Sequence, residues 1–188
     1  MIAEHVGTMP TPSVDGLAAS MTVPMWWSQL VARRPEAMAL LSHATSLSLA
    51  DIDRRSANIA VAMLEAGYGK GSRIALLMSN GPDWIAVWLA TQRIGAVAVL
   101  LSTFFAADEL RYALRHSDAG LLILDQEWQR LSFATRLEAA LPALIAADGQ
   151  SALLIDSAPY LRRIWSTDPA SHRWVARTLV DAECCGAA

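Results

Sequence analysis

Arg73-Ile74-Ala75-Leu76-Leu77-Met78-Ser79-Asn80-Gly81-Pro82-Asp83-Trp84-Ile85-Ala86-Val87-Trp88-Leu89-Ala90-Thr91-Gln92-Arg93-Ile94-Gly95-Ala96-Val97-Ala98-Val99-Leu100-Leu101 decides the fold. Residues 73–78 form a short apolar run without alternation, as expected of a strand buried on both faces. Asn80-Gly81-Pro82-Asp83 supplies a cap, a proline and an N-terminal acid for a helix reaching about Ile94. Residues 96–101 are a second buried run. Along the helix, Ile85, Val87, Trp88 and Leu89 put apolar atoms around more than one face, which predicts packing on two sides, one of them open if the fold is incomplete.

Toward the C-terminus the rhythm repeats. Residues 108–116 read as a second helix with Leu110, Ala113 and Leu114 inward, residues 121–124 as a third buried run, and residues 127–141 as a third helix. Residues 152–155 and 161–165 are further strand candidates, followed by a polar turn at 167–171 and a helix through 174–180. Strands alternating with helices imply right-handed crossovers, hence an α/β fold with a mainly parallel sheet and helices on both faces.

Toward the N-terminus, residues 1–23 read as an irregular leader, and residues 24–188 as the folded unit. Pro24 opens a short helix through Trp26, Trp27, Leu30 and Val31, which Arg33-Arg34-Pro35 closes. Residues 37–41 and 46–49 look like a small hairpin. Ser48-Leu49-Ala50-Asp51 fits a capping box, and Ile52, Ile59, Ala60, Met63 and Leu64 form a helical stripe that stops at Gly67.

Composition excludes several classes. The chain has 188 residues, 15 Lys+Arg against 18 Asp+Glu, and 54% hydrophobic residues. Its basic residues are scattered as pairs, Arg33-Arg34, Arg54-Arg55 and Arg162-Arg163, with no continuous positive face for nucleic acid. The most apolar stretch, residues 84–101, is interrupted by Gln92-Arg93 and Gly95, so no transmembrane segment is expected. The only two cysteines, Cys184 and Cys185, are adjacent and offer neither a disulfide framework nor a CxxC half-site; the cytoplasm is the expected compartment.

No residue group has the spacing of a catalytic, cofactor-binding or metal site. Gly67-Tyr68-Gly69-Lys70-Gly71 leaves a helix and enters a strand, the reverse of a phosphate loop, and Lys70 is the only lysine. His116-Ser117-Asp118 are consecutive at a helix end and cannot converge as a triad. His5, His43 and His172 show no ligand spacing. Asp51, Asp53, Asp108 and Glu109 lie in first helical turns, where capping and dipole effects account for them. Trp84 and Trp88, four apart, form a packing stripe.

The order of several segments nonetheless resembles the N-terminal part of the adenylate-forming superfamily, most like its acyl-CoA and aryl-CoA synthetases. Arg34-Pro35-Glu36-Ala37-Met38-Ala39 resembles the opening P-x-A-x-A element, and Ser48-Leu49-Ala50-Asp51-Ile52 the usual Thr-Tyr-x-Glu-Leu. Gly67 to Ala75 resembles Gly-Val-x-x-Gly-Asp-Arg-Val-Ala, with Ser72 replacing Asp. Asn80-Gly81-Pro82-Asp83-Trp84, Gly95-Ala96-Val97 through Ser102-Thr103, and Glu109-Leu110-Arg111-Tyr112 through Ala119 follow in the family's order. Tyr160 to Ile164 is similar to the strand that precedes the family's nucleotide loop.

The resemblance implies an AMP-dependent acid:CoA ligase. In that reaction a small carboxylic acid, fatty or aromatic, attacks Mg-ATP to give an acyl-adenylate, which CoA then converts to a thioester. It implies ATP, Mg and CoA for a complete enzyme and none of them for these residues, because no Ser/Thr/Gly-rich loop ending in Pro-Lys-Gly and no Tyr-Gly-x-Thr-Glu segment is present. The expected partner is the remainder of the ligase or a complementary chain. The rival readings are a non-catalytic interaction module or gene remnant that docks on a partner, and a free nucleotide-binding domain lacking its fingerprint.

Overall fold

A computed structural model describes residues 21–41, 46–128, 131–168 and 172–185; most of the leader, and the tip of the hairpin at 42–45, lie outside them. Helix α1 (Val23–Arg33) is capped by the Thr22 hydroxyl, which accepts from the Met25 amide, with Pro24 in its first turn. Strands β1 (Met38–Leu41) and β2 (Ser46–Ser48) pair antiparallel, as the hairpin reading anticipates. Helix α2 (Leu49–Glu65) starts at the expected capping box. The Ser48 hydroxyl accepts from the Asp51 amide at 3.1 Å, and the Asp51 carboxylate accepts from the Ser48 amide at 3.1 Å. Gly67, at φ +88°, ends the helix in a conformation that favours glycine. Ile52, Ile59, Ala60 and Met63 are buried as predicted, whereas Leu64 lies outside the core and is exposed.

A five-stranded sheet follows, ordered β4-β3-β5-β8-β9 with all pairs parallel. Its strands are β3 (Arg73–Leu77), β4 (Val97–Leu100), β5 (Leu121–Leu124), β8 (Arg163–Ser166) and β9 (Arg177–Thr178). Helix α3 (Pro82–Arg93) joins β3 to β4, and α4 (Ala107–His116) crosses from β4 back to β5 on the opposite face. Alternate residues of the central strands therefore enter different cores. Ile74, Leu76, Leu121 and Ile123 meet α2, α3 and α6 (Leu179–Cys185). Ala75, Leu77, Leu122 and Leu124 meet α4 and α5 (Phe133–Ala140).

The structure corrects the sequence reading in six places. Residues 127–141 are not one helix: β6 (Glu127–Trp128) and β7 (Leu131–Ser132) pair antiparallel first, and Ser132 then caps α5 through its hydroxyl. The Ser132 cap offers the backbone a start that the continuous apolar pattern hides. Residues 152–155 are not a strand of the sheet, because the place beside β5 goes to β8; Leu153 donates its amide to the Arg162 carbonyl at 2.9 Å, and its carbonyl accepts from the Arg162 guanidinium at 3.4 Å. Residues 174–180 divide between β9 and α6, with the Thr178 hydroxyl bound to Asp181 at 2.6 Å at the boundary. The cap of α3 is Gly81 rather than Asn80. The 96–101 run is an edge strand, with Val97 and Leu100 about half exposed. Finally, the second side of α3 is filled from within the chain: Val87 packs toward the sheet while Leu89 joins Trp27, Leu49 and Ile52 in a separate core beneath α1 and the hairpin.

Polar contacts join the helices of that layer. The Arg55 guanidinium on α2 binds Asp83 in the first turn of α3 and Glu183 on α6. Arg93, in the last turn of α3, reaches back to Asp53 and to the Ser56 hydroxyl. Asp53 also accepts from the Trp27 indole at 2.8 Å, so its role is to tie α1, α2 and α3 together rather than to complement a helix dipole. On the other face Gly149, at φ +70°, lies so close to the backbone of Val175 that an added Cβ would stand 2.5 Å from its carbonyl oxygen. No described helix is long and apolar enough to cross a membrane.

Two measurements check this description. Asp51 titrates at about 2, below its ordinary 3.8, held there first by the Ser48 hydroxyl, then by the Ser48 amide and Arg54. With the folded pKa depressed, the stability it contributes is full above pH ~4 and is lost as pH falls toward the folded value. Ser48→Ala should move the Asp51 titration upward in an NMR pH series and destabilise the chain by about 1 kcal/mol; an unmoved titration would show that the cap is not formed. The exposed Val97, Leu100, Phe104 and Tyr112 should make the folded 188-residue chain bind a hydrophobic dye or self-associate. A compact, dye-silent monomer at high concentration would show that these side chains are tolerated singly.

Candidate functional site

Strand β3 pairs with β4 on one side and β5 on the other. From this pair, the chain moves outward in opposite directions, toward β4 in one case and toward β8 in the other. The two central strands thus flank a topological switch point. In open parallel sheets the crevice outside the carboxyl ends at such a point is where ligands bind.

A polar cluster occupies this edge. Leu124 is fully buried, and the next residue, Asp125, points its carboxylate across the strand ends. Its Oδ2 accepts from the amide of Ser79, just beyond β3, at 2.7 Å and from the Ser79 hydroxyl at 2.6 Å. Its Oδ1 accepts from the hydroxyl of Thr167, just beyond β8, at 3.0 Å. Gln126 donates to the buried Ser166 hydroxyl, which also accepts from the Asp168 amide. One carboxylate therefore binds the segments that follow three neighbouring strands. Above β4, Arg136 of α5 donates to the carbonyls of Thr103 and Phe105 at 2.7 and 3.0 Å and fixes the fourth exit loop.

This arrangement is suited to positioning backbone rather than to reacting. Both Asp125 oxygens are engaged by donors, so the carboxylate is not presented as a base. Among the described residues no three His, Cys, Asp or Glu side chains are grouped as a metal would require, and the cluster does not fit a magnesium ion.

The segments weighed in the sequence fall elsewhere. The Gly67–Gly71 turn lies at the amino-terminal edge, with the Gly71 amide bonded to the Gly95 carbonyl, so it is on the wrong side of the sheet for the crevice; Lys70 is exposed there. His116 stacks on Tyr112 at 5.3 Å, while Asp118 pairs with Arg73 at 3.1 Å, so the His-Ser-Asp run does not converge. His172 stacks on Trp174, and its Nε2 is 3.9 Å from Glu138. Trp84 and Trp88 stack at 6.2 Å against the core, as a packing stripe should. His5 and His43 lie outside the described residues. Cys184 and Cys185 fall in the last turn of α6.

The Asp125 cluster was missed in the sequence because its members lie at residues 79, 125, 126 and 166–168, far apart along the chain. The available signal was an acid directly after the apolar run 121–124, at the end of a predicted parallel strand. Asp125→Ala should leave Ser79 and Thr167 without their acceptor and cost about 2 kcal/mol in equilibrium unfolding. Asp125→Asn keeps one acceptor oxygen and gains a donor, and should cost less. Equal stability of all three proteins would remove the staple from the account.

The model of the AMP-binding enzyme family matches residues 27–181. The 3-hydroxybenzoate--CoA/4-hydroxybenzoate--CoA ligase of Thauera aromatica is 34% identical over 136 residues, covering 63% of this chain and 26% of that protein. The 3-hydroxybenzoate--CoA ligase of Aromatoleum sp. (strain CIB) is 32% identical over 111 residues, covering 59% and 21%. Among solved structures, the anthranilate CoA ligase AuaEII in complex with anthranoyl-AMP superposes with a TM-score of 0.74 at 18% identity over 90% of this chain and 29% of that one, a likeness of fold. The chain spans about a quarter of the length of the curated relatives it matches. Its doubly wound sheet, its switch-point crevice and a match over most of its length agree: the chain belongs to the AMP-binding enzyme family.

Proposed function

We propose that this chain is the N-terminal part of an AMP-forming acid:CoA ligase, and that residues 24–188 act as one unit of the longer fold. The observation that carries the reading is the family match across residues 27–181 together with relatives that are named as CoA ligases of hydroxybenzoates. In the reaction proposed for the complete enzyme, the carboxylate of a small acid, aromatic or fatty, attacks the α-phosphate of ATP and displaces pyrophosphate, and the CoA thiol then attacks the acyl carbon and displaces AMP. The use of ATP and CoA supports a cytoplasmic location in this reading.

The part played here is architectural. Catalysis of adenylate formation depends on donors around the phosphates and a cation on the developing charge. In this reading the present residues supply neither at the crevice, since the only lysine is Lys70 at the other end of the strands and no glycine-rich strand-to-helix loop exists in the sequence. What they supply is the crevice wall: Asp125 fixes the exits of β3, β5 and β8, and a loop continuing from the β8 side would inherit that placement. Magnesium and nucleotide ligands belong, in this reading, to the remainder of the ligase. No observation favours a non-catalytic module over it.

Incubated with Mg-ATP and a panel of fatty and aromatic acids, the chain alone should release no acid-dependent pyrophosphate. Acid-dependent turnover that tracks the protein through purification would reveal a site among these residues. The DNA encoding the chain should continue, in this frame or one shifted from it, into a loop dense in Ser, Thr and Gly ending in Pro-Lys-Gly. If every downstream frame lacks that loop, the ligase reading fails.

A further inference from the structure

The face of the sheet that packs on α2 carries a second cluster, along β8 and β9 and apart from the Asp125 cluster. Arg163 opens β8 and Arg177 opens β9, and Arg177 lies opposite Trp165 in the register of the two strands. Arg163 is two residues before Trp165 and so faces the same side. The Arg177 guanidinium stands 5.6 Å over the Trp165 ring, which is buried. With Glu65 and Ala66 at the end of α2, these residues line a cleft of about 240 Å³.

Charge and hydrogen bonding in the cleft do not balance. Nη1 of Arg177 is buried and has no hydrogen-bond partner. Its nearest carboxylate oxygen, on Glu65, is 3.8 Å away, too far for a hydrogen bond, and the Glu65 side chain is about half exposed. The neighbouring Arg162, by contrast, is spent on backbone: its Nη1 donates to the Pro159 carbonyl at 2.6 Å. Two guanidiniums therefore share the cleft with one half-solvated carboxylate. A buried N–H of an always-charged group calls for an acceptor, and the forked geometry of arginine favours a planar or tetrahedral oxyanion.

We propose that Arg163 and Arg177 form a binding site for a small oxyanion, of the phosphate or carboxylate class, in the cleft between the end of α2 and strands β8 and β9. The indole of Trp165 forms its floor. Glu65 and the carbonyl end of α2 oppose the anion, so Glu65 sets an upper limit on affinity and makes the site release its ligand readily. This inference stands on the cleft alone and does not depend on the ligase reading.

The test is titration of the 188-residue chain with inorganic phosphate, and separately with malonate, at low ionic strength. It is followed by NMR at the Trp165 indole and the arginine Nε–H signals. Saturable shifts at Trp165 and Arg177 are expected, and the anion that saturates at the lower concentration identifies the class. Arg177→Gln should weaken binding about tenfold, the loss of a charge-assisted hydrogen bond. Arg163→Gln, at a half-buried position at the start of its strand, should do the same and keeps the test valid if the first variant fails to fold. Glu65→Gln should tighten binding about threefold by removing a repulsive charge. Absence of saturation, or equal shifts in the wild type and Arg163→Gln, would overturn the site and leave Arg177 and Glu65 as a loose structural ion pair.

Discussion

The structure depends on one strand being paired on both sides by strands parallel to it. Residues Arg73–Leu77 run between Val97–Leu100 and Leu121–Leu124, and a parallel neighbour can be reached only by a crossover that packs on a face of the sheet. Because the two crossovers run in opposite directions and keep the same hand, α3 and α4 must lie on opposite faces. Both faces of β3 are then covered, which is why residues 74–77 are all buried and why no polar alternation appears in them. The switch-point crevice follows from the same reversal, as does the need for a polar group to tie the strand exits together.

Charge is used sparingly and at joints. Arg55 and Asp53, on one turn of α2, engage opposite ends of α3: Arg55 binds Asp83 in its first turn as well as Glu183 of α6, and Asp53 binds Arg93 in its last. Burial alone would lower the Arg55 pKa, yet hydrogen bonds with Glu183 and Asp83 raise it, so the ion pairs outweigh desolvation at this half-buried site. Such pairs add little net stability compared with the apolar layers, but they hold α3 by both ends against residues 53–56 of α2. Tyr68 shows the opposite balance: its hydroxyl, bonded to the Gly120 carbonyl at 3.2 Å, is pushed to a raised pKa by burial.

What the sequence revealed, and what it hid, follows from the range of the interactions. The Ser48–Asp51 box, the glycine stop at Gly67 and the central strands are governed by residues within a few positions of one another, and they are legible for that reason. The extent of α5 was not, because the apolar spacing of residues 127–141 suits a helix while its first part pairs as β6 and β7 and Ser132 caps a helix that starts only at Phe133. Residues 152–155 have strand composition but lose the place beside β5 to residues 163–166, a competition decided by tertiary pairing. The family order of motifs was visible, but the Asp125 staple and the Arg163–Arg177 cleft, each assembled from distant segments, were not.

The pairing of β3 also imposes a timetable on synthesis. As the chain leaves the ribosome, β3 can acquire β4 once residue 100 has emerged, but its other edge stays open until residues 121–124 follow. At ordinary translation rates residues 78–124 take roughly 2–10 s to appear. During that interval an apolar strand presents unpaired amides and carbonyls to its surroundings, far longer than local helices need to form. The nascent chain is thus most vulnerable to wrong pairing just before β5 arrives, and α3, already able to cover one face, is the element that shields it in the meantime.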